Sequence, residues 1–327
     1  MSRTRTLAVA ALAASALVLT ACSGGSLSGE EPSSAPSGGS SGDLTPVTVG
    51  LLPIAPAAAV QLGIDEGIFE KHGLDVTVQS GQGGAALLPA VSSQSIEFAV
   101  GNPLSVLVAV SQGLGMEIIA GYSAITTPEP SGIVVMEDSG IDTWADLEGK
   151  TVALNAVNTQ GDLGTMAMVE ADGGDPSKVS FTEIPFPDQL AQLEQGHIDA
   201  SWTPEPFLTA SLETPGVKWL GDPLTAIDDL YTMVTFTSTA YADANPEVTD
   251  AFAAAIAEST ALAMDDDELY RQAIVDYTGM DAEVVANIRL EALSGDLDPS
   301  IIEELSATAL KYGFLDTEPD MDAVIRK

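Results

Sequence analysis

From Val47 onward the chain alternates short runs rich in β-branched residues with longer runs whose apolar residues recur at helical spacing. "VTVGLL" reads as a strand, and "AAVQLGIDEGIFEKHG" reads as a helix with Val60, Ile64 and Ile68 on one face and a stop at Gly73. Strands "LDVTVQS", "IEFAVG" and "MEIIAGY" follow, separated by the helices "GGAALLPAVSS" and "LSVLVAVSQG". This rhythm constrains the fold more than any other feature. Parallel strands need a crossover between them, usually a helix, and a sheet built that way is covered on both faces. The expected class is α/β with parallel sheet.

Past Ile125 the rhythm restarts with strands "SGIVVM", "TVALN", "VSFTEIP" and "IDASW" and helices "TWADLEG", "GDLGTMAMVEADG" and "DQLAQLEQG". An internal echo supports the restart. "QSIEFAVGNPLS" (94–105) and "GHIDASWTPEPF" (196–207) each place Ile and an acid before a short apolar strand and a proline-bearing loop. Two α/β lobes facing each other across a cleft are implied. The run "LYTMVTFTS" reads as a strand returning to the first lobe, and the rest reads as helices. Asn245-Pro246 is placed as an N-cap with proline at the first helical position, and Val248, Phe252 and Ile256 form a stripe behind it. "DELYRQAIVDYTG", "DAEVVANIRLEAL" and "PSIIEELSATALKYG" continue the series and pack back on the first lobe. The lobes are expected at 46–125 plus 238–327 and at 126–237.

The single cysteine of the 327 residues stands where an apolar run meets a Ser/Gly/Pro tract. Residues 2–6, "SRTRT", carry two arginines and no acid, and Leu7–Leu19 is small and apolar throughout, as in a signal peptide and too short to span a bilayer comfortably. Leu19-Thr20-Ala21-Cys22 then resembles the bacterial lipoprotein signal, in which the cysteine is acylated and becomes the first mature residue; the alternative is an ordinary secretory peptide cleaved nearby. The expectation is a signal peptide over 1–21, lipid on Cys22, and a flexible tether over 22–45. Membrane attachment is then through that lipid alone. The balance of 48 acids against 11 Lys and Arg, a formal net charge of −37, repels nucleic acid, whereas an apolar fraction of 45% is too high for a disordered acidic chain.

No motif is assembled for turnover. "GQGGAA" (81–86) has the spacing of a dinucleotide fingerprint, yet where an acid should follow for the ribose the chain reads "VGNP". It reads better as a turn exposing helix N-terminal amides. "GKT" (149–151) precedes a strand rather than opening a helix and lacks the earlier glycine of a phosphate loop. His72 and His197 each sit beside a glycine at a helix end, apart from any second metal ligand, and no G-x-S-x-G elbow occurs. Neither a catalytic residue nor a metal site nor a cofactor is expected.

In order along the chain, "LGIDEGIFEKHGLDVTV", the glycine turn after it, "IEFAVGNP", "DTWADLEGKTVALN", "LAQLEQGHIDASWTPEPF" and "NPEVTDAF" resemble the solute-binding proteins of nitrate/sulfonate/taurine-type ABC importers, the NMT1/THI5-like family. The resemblance runs from about Pro46 to Lys327. It implies a type II periplasmic-binding fold, with two lobes joined by two crossing strands that serve as a hinge, and a monomer that binds a small-molecule solute and presents it to an ABC transporter permease at the extracytoplasmic face of the membrane. Thiamine-pyrimidine-precursor or riboflavin-type binding proteins of ABC importers are the alternative within the family, and a surface sensor module is the alternative outside it. A pyrimidine-synthesising enzyme is disfavoured, because the Cys- and His-rich segment of those relatives is missing. The family's ligand loops, at strand C-terminal ends, map here onto Pro53 and Ala57, Gln82, Gly83 and Gly84, Asn102 and Pro103, Asn158, Thr159 and Asp162, and Trp202 and Glu205.

The mapped loops contain no Lys or Arg, while Glu129, Asp162 and Glu205 lie in or beside them. A simple anion is therefore disfavoured. A zwitterion whose ammonium pairs with Asp162 or Glu205, or a neutral heteroaromatic stacked on Trp202, fits better. For the anchor, detergent partitioning and intact mass of the wild type and Cys22→Ser should differ: the wild type enters the detergent phase with acyl mass added, and the variant stays aqueous. Equal partitioning would remove the lipid.

Overall fold

A computed structural model describes residues 44–81 and 84–327. Cys22, the expected signal segment and the tether up to residue 43 lie outside the described residues. β1 (Thr45–Leu51) pairs in parallel with β2 (Leu74–Ser80) and with β3 (Phe98–Gly101), so the folded body takes in Thr45, which was expected to end the tether. β4 (Met116–Ala124) follows. The chain then crosses to β5 (Ser131–Met136), β6 (Thr151–Leu154), β7 (Ser180–Glu183), β8 (Ala200–Pro204) and β9 (Val217–Gly221). β10 (Tyr231–Ser238) and the short β11 (Ala292–Leu293) return to the first group. The sheet orders are β11-β4-β10-β3-β1-β2 and β7-β6-β8-β5-β9, a two-lobed α/β arrangement.

The sheets are mixed, not purely parallel. β10 runs antiparallel to both neighbours, β3 and β4, and β5 runs antiparallel to β8 and β9. Both reversed strands follow a crossing between sheets, 125–130 and 222–230, where no α-helix stands between the strands to carry a parallel crossover. The boundary expected at 237/238 falls at the end of β10, whose pairing lies wholly in the first sheet.

Four elements depart from the sequence reading. The helix expected over "AAVQLGIDEGIFEKHG" is broken at Gly67, whose φ is +69°, into Ala58–Asp65 and Ile68–Lys71. "TWADLEG" forms a single 3-10 turn, Trp144–Leu147, closed by the Thr143–Asp146 capping box. The helix expected over "DAEVVANIRLEAL" stops at Asn287, and the chain becomes extended toward β11. Asn245 does precede a helix starting with Pro246, but its side-chain Nδ2 donates backward to the Tyr241 carbonyl at 3.1 Å and gives the helix no cap. The helix Phe207–Leu212 and strand β9 carry too little periodicity to be marked from sequence.

The first sheet is covered on both faces at its centre, where the consecutive residues Phe98, Ala99 and Val100 of β3 are all buried. The helix Pro246–Asp265 lays Phe252 and Ile256 on this sheet. Phe252 stacks on Phe98 of β3 with ring centroids 3.9 Å apart and meets Phe69 at 5.5 Å. The helix Ala58–Asp65 packs beside it through Gly63, where an added Cβ would lie 1.9 Å from the Ser259 hydroxyl. Even the polar residues of β10 are accommodated: Thr237 is fully buried and donates to the Glu97 carbonyl at 2.6 Å. Because Phe252 is fully buried between two rings, Phe252→Ala should destabilise the chain by about 3–5 kcal/mol, read as a lowered urea midpoint. A change below about 1 kcal/mol would mean that the stack is not part of the core.

Candidate functional site

The segments that leave the strands at one end of the two sheets converge on a cavity of about 50 Å³, room for only a few waters. Leu52 and Ile54 enter it after β1, Asn102 after β3, Asn155 and Ala156 after β6, and Trp202 and Pro204 from β8. The antiparallel strands contribute their opposite ends, Ser131 from β5 and Thr232 and Met233 from β10. Thr159, Gln160, Phe186, Leu224 and Glu291 complete the lining with Gly101. Convergence at strand C-terminal ends follows from α/β geometry, because that is where loops can be shaped without disturbing the sheet.

Local chemistry holds each wall. After β1 the loop carbonyls are fixed by three tyrosine hydroxyls: Tyr277 donates to Leu52 at 2.9 Å, Tyr270 to Ala55 at 3.2 Å and Tyr122 to Pro56 at 2.6 Å. Asn102 is the N-cap of the helix Pro103–Ser111, its Oδ1 accepting from the Ser105 amide at 3.0 Å. Thr159 opens the helix Gln160–Ala171, and Gln160 reaches across to donate to the Tyr231 carbonyl at 2.7 Å. Gly161 lets the Trp202 ring lie against that helix start, since a Cβ there would come 3.0 Å from the indole Cε3. Phe186 meets Trp202 edge-on at 5.8 Å and Phe207 at 5.9 Å, giving the cavity an aromatic wall. The buried Trp202 Nε1 makes no hydrogen bond among the described residues.

Of the residues mapped from sequence, Asn102, Thr159 and Trp202 line this cavity. Pro53 is half-buried between two lining residues but is not itself in the wall. Ala57 and Pro103 are packing residues, buried in the turn after β1 and in the first turn of the next helix. Asn158, at φ +57°, faces a separate surface groove with Leu88 and Pro89. Gly84 begins the helix Gly84–Ser92, and Gln82 and Gly83 lie outside the described residues.

Asp162 and Glu205, expected as partners for an ammonium group, are engaged elsewhere. Asp162 accepts from the amides of Asn158 at 2.6 Å and Thr159 at 2.7 Å, and burial, opposed by these bonds, pushes its carboxyl up to about 6. Glu205 accepts from the Thr209 amide at 3.0 Å, the Thr209 hydroxyl at 2.8 Å and the Arg289 amide at 3.1 Å, and burial raises it too. Asp222 is held in the same way by Ser131 at 2.7 Å and the Leu224 amide at 2.9 Å, and is likewise raised by burial.

The carboxylate that does line the cavity is Glu291. It is 6% exposed and accepts a hydrogen bond from the Thr232 hydroxyl, which is itself 2.5 Å from that of Ser123. Burial pushes its carboxyl up to about 7, helped by Asp222 and Glu205 and opposed by the Ser123 and Thr232 hydroxyls. Sequence reading missed it because the helix expected over 281–293 would have made it one surface acid among many. Phe186, by contrast, was within reach, since it follows the end of β7 as the other loops follow their strands. No group of three His, Cys, Asp or Glu side chains among the described residues is arranged to hold a metal ion.

Comparison with known proteins places this geometry in a family. The family model described as NMT1/THI5 like matches residues 57–269. A putative aliphatic sulfonates-binding protein of Escherichia coli is 27% identical over 208 residues, covering 62% of each chain, so the match spans about three fifths of that relative's length. Among solved structures, the alkanesulfonate-binding protein SsuA of Xanthomonas axonopodis bound to MOPS superposes with a TM-score of 0.72 at 18% identity, over 88% of this chain and 99% of its own. The periplasmic nitrate-binding protein NrtA of Synechocystis superposes with a TM-score of 0.73 at 16% identity, over 87% of this chain and 86% of its own. All three are described as binding proteins, and the two structures share the fold.

The raised carboxyls fix the sign of a pH effect. A carboxyl raised on folding holds its proton longer in the folded chain, so its contribution to stability is full below its unfolded value and is lost as pH rises through its folded value. With Glu291 raised from 4.5 to about 7 and Asp162 from 3.8 to about 6, the loss falls between pH 4 and 7. The melting temperature of the ligand-free chain should therefore fall between about pH 4 and pH 7, and Glu291→Gln should flatten that fall. A melting temperature that rises over this range in calorimetry would contradict the assignment.

Proposed function

The chain belongs to the NMT1/THI5-like family of type II periplasmic binding proteins, and from that premise we propose that it is an extracytoplasmic solute-binding protein that captures a small organic solute and delivers it to an ABC importer. The observation that carries the reading is the cavity itself, walled by segments of both sheets and built at the ends of their strands. The lobes we assign are 45–125 with the chain from about residue 230 onward, and 126 to about 229, with the crossings at 125–130 and 222–230 as the hinge. At about 50 Å³ the cavity admits a solute of more than a few atoms only when the lobes part, so capture proceeds by hinge closure. Contacts across the cleft support a closed state: Lys311 and Tyr312 meet Glu170, Gln160 meets Tyr231, and the Ala55 amide donates to the Glu205 carbonyl at 3.1 Å.

We assign the chain to the outer face of a bacterial membrane, held there by lipid on Cys22, which keeps the receptor near its permease. The solute is zwitterionic or neutral rather than a simple anion, since the lining includes no Lys or Arg and has Phe186 and Trp202 to hold an apolar or ring-bearing body. Thermal-shift screening against nitrate, alkanesulfonates, taurine, pyrimidines and flavins tests this. A true solute at a hundred times its Kd should stabilise the chain by about 2.7 kcal/mol. Trp202→Ala should weaken that solute's binding by roughly tenfold or more while the variant stays folded. Stabilisation by nitrate or ethanesulfonate alone would overturn the solute class, and unchanged affinity in Trp202→Ala would move the site.

A further inference from the structure

We propose, resting on the solute-binding reading above, that Glu291 is the specificity-determining residue of the cavity, selecting a solute that presents a cationic nitrogen and excluding simple anions. The acceptor capacity of the site's carboxylates carries the argument. An ionised carboxylate offers about four lone-pair positions. Asp162, Glu205 and Asp222 each accept at least two hydrogen bonds from neighbouring backbone amides or hydroxyls, so their roles are structural. Glu291 is bonded by the side-chain hydroxyls of Thr232 and Ser123, no backbone amide among the described residues donates to it, and it alone of the four borders the cavity.

Among the described residues no Lys, Arg or His makes an ion pair with Glu291, and Arg271, which shares a second groove with it, is paired with Asp267. Arg289, two positions before Glu291, turns away to donate from Nη1 to the Glu129 carbonyl at 3.1 Å and to lie over the Trp219 ring at 5.0 Å. Arg271 is bound to Asp267 at 2.8 Å and to the carbonyls of Val285 and Ile288 at 2.7 and 3.2 Å. The other groups around Glu291 are the carboxyls of Asp222 and Glu205, the phenols of Tyr122 and Tyr270, and Asp267. An isolated buried carboxylate is unfavourable until it is protonated or paired. A solute's ammonium or protonated ring nitrogen supplies the partner, and the faces of Trp202 and Phe186 attract the same charge. An anion in the same space would face Glu291, Asp222 and Glu205 with no basic side chain in the wall.

The test uses the full chain as wild type, Glu291→Gln and Glu291→Asp, titrated calorimetrically with taurine, phenethylamine, 4-aminopyrimidine, ethanesulfonate and nitrate. At least one nitrogen-bearing probe should bind the wild type, with a Kd roughly tenfold or more higher in Glu291→Gln and partly recovered in Glu291→Asp. The anions should bind Glu291→Gln better than the wild type. For phenethylamine, affinity should rise from about pH 6 to pH 8 as Glu291 ionises. Should Glu291→Gln fail to fold, a shift of probe preference in Glu291→Asp and the wild-type pH trend still decide. A nitrogen-bearing probe that binds the wild type and Glu291→Gln alike, or a wild type that prefers the anions, would overturn the role of Glu291 and leave the solute-binding reading standing. A wild type that binds none of the probes would remove that reading as well.

Discussion

The architecture depends on β10. This strand comes late in the chain, yet it is hydrogen-bonded in the middle of the first sheet, between β3 and β4 and antiparallel to both. A central strand carries ladder bonds on both edges, so the first sheet is incomplete until the chain has built the second and come back. That return creates two crossings and ties the sheets together. It also sets the site, because a reversed central strand brings its first residues, Thr232 and Met233, to the end where the parallel strands finish.

The loops gathered there are held by groups that sequence alone does not connect. Tyr122, Tyr270 and Tyr277 come from β4 and from the helix Asp267–Thr278, and all three donate into the loop after β1. Phenol hydroxyls suit this task, since their rings fill the core while the single polar atom satisfies a buried carbonyl that would otherwise be costly. Caps do the same work on the other walls: Asn102 and the Thr159–Asp162 box order helix starts that face the cavity.

In so acidic a chain, the buried acids differ by what they are given to bind. Asp162, Glu205 and Asp222 each accept from at least one backbone amide within four residues, which makes them parts of the frame. Glu291 lies on an extended segment with a hydroxyl on one side and the cavity on the other. The difference follows from local backbone: a helix start or turn points its amides at a nearby carboxylate, and an extended strand does not.

Much of the fold was legible in the residues. Period-two and period-four patterns marked most strands and helices of both halves, the restart near Ile125 preceded the second sheet, and the proline-bearing loops at the ends of β3 and β8 pointed to Asn102 and Trp202. Local preference and periodicity determine these, so neighbouring residues suffice to reveal them. What tertiary structure decided is everything that turns on which distant groups meet. The orientation of β10, the halt of the helix at Asn287 and the arrival of Glu291 at the cavity depend on contacts between residues tens of positions apart or more. A carboxylate's side-chain chemistry is the same at every position; only its packed surroundings decide whether it closes a turn or faces a solute.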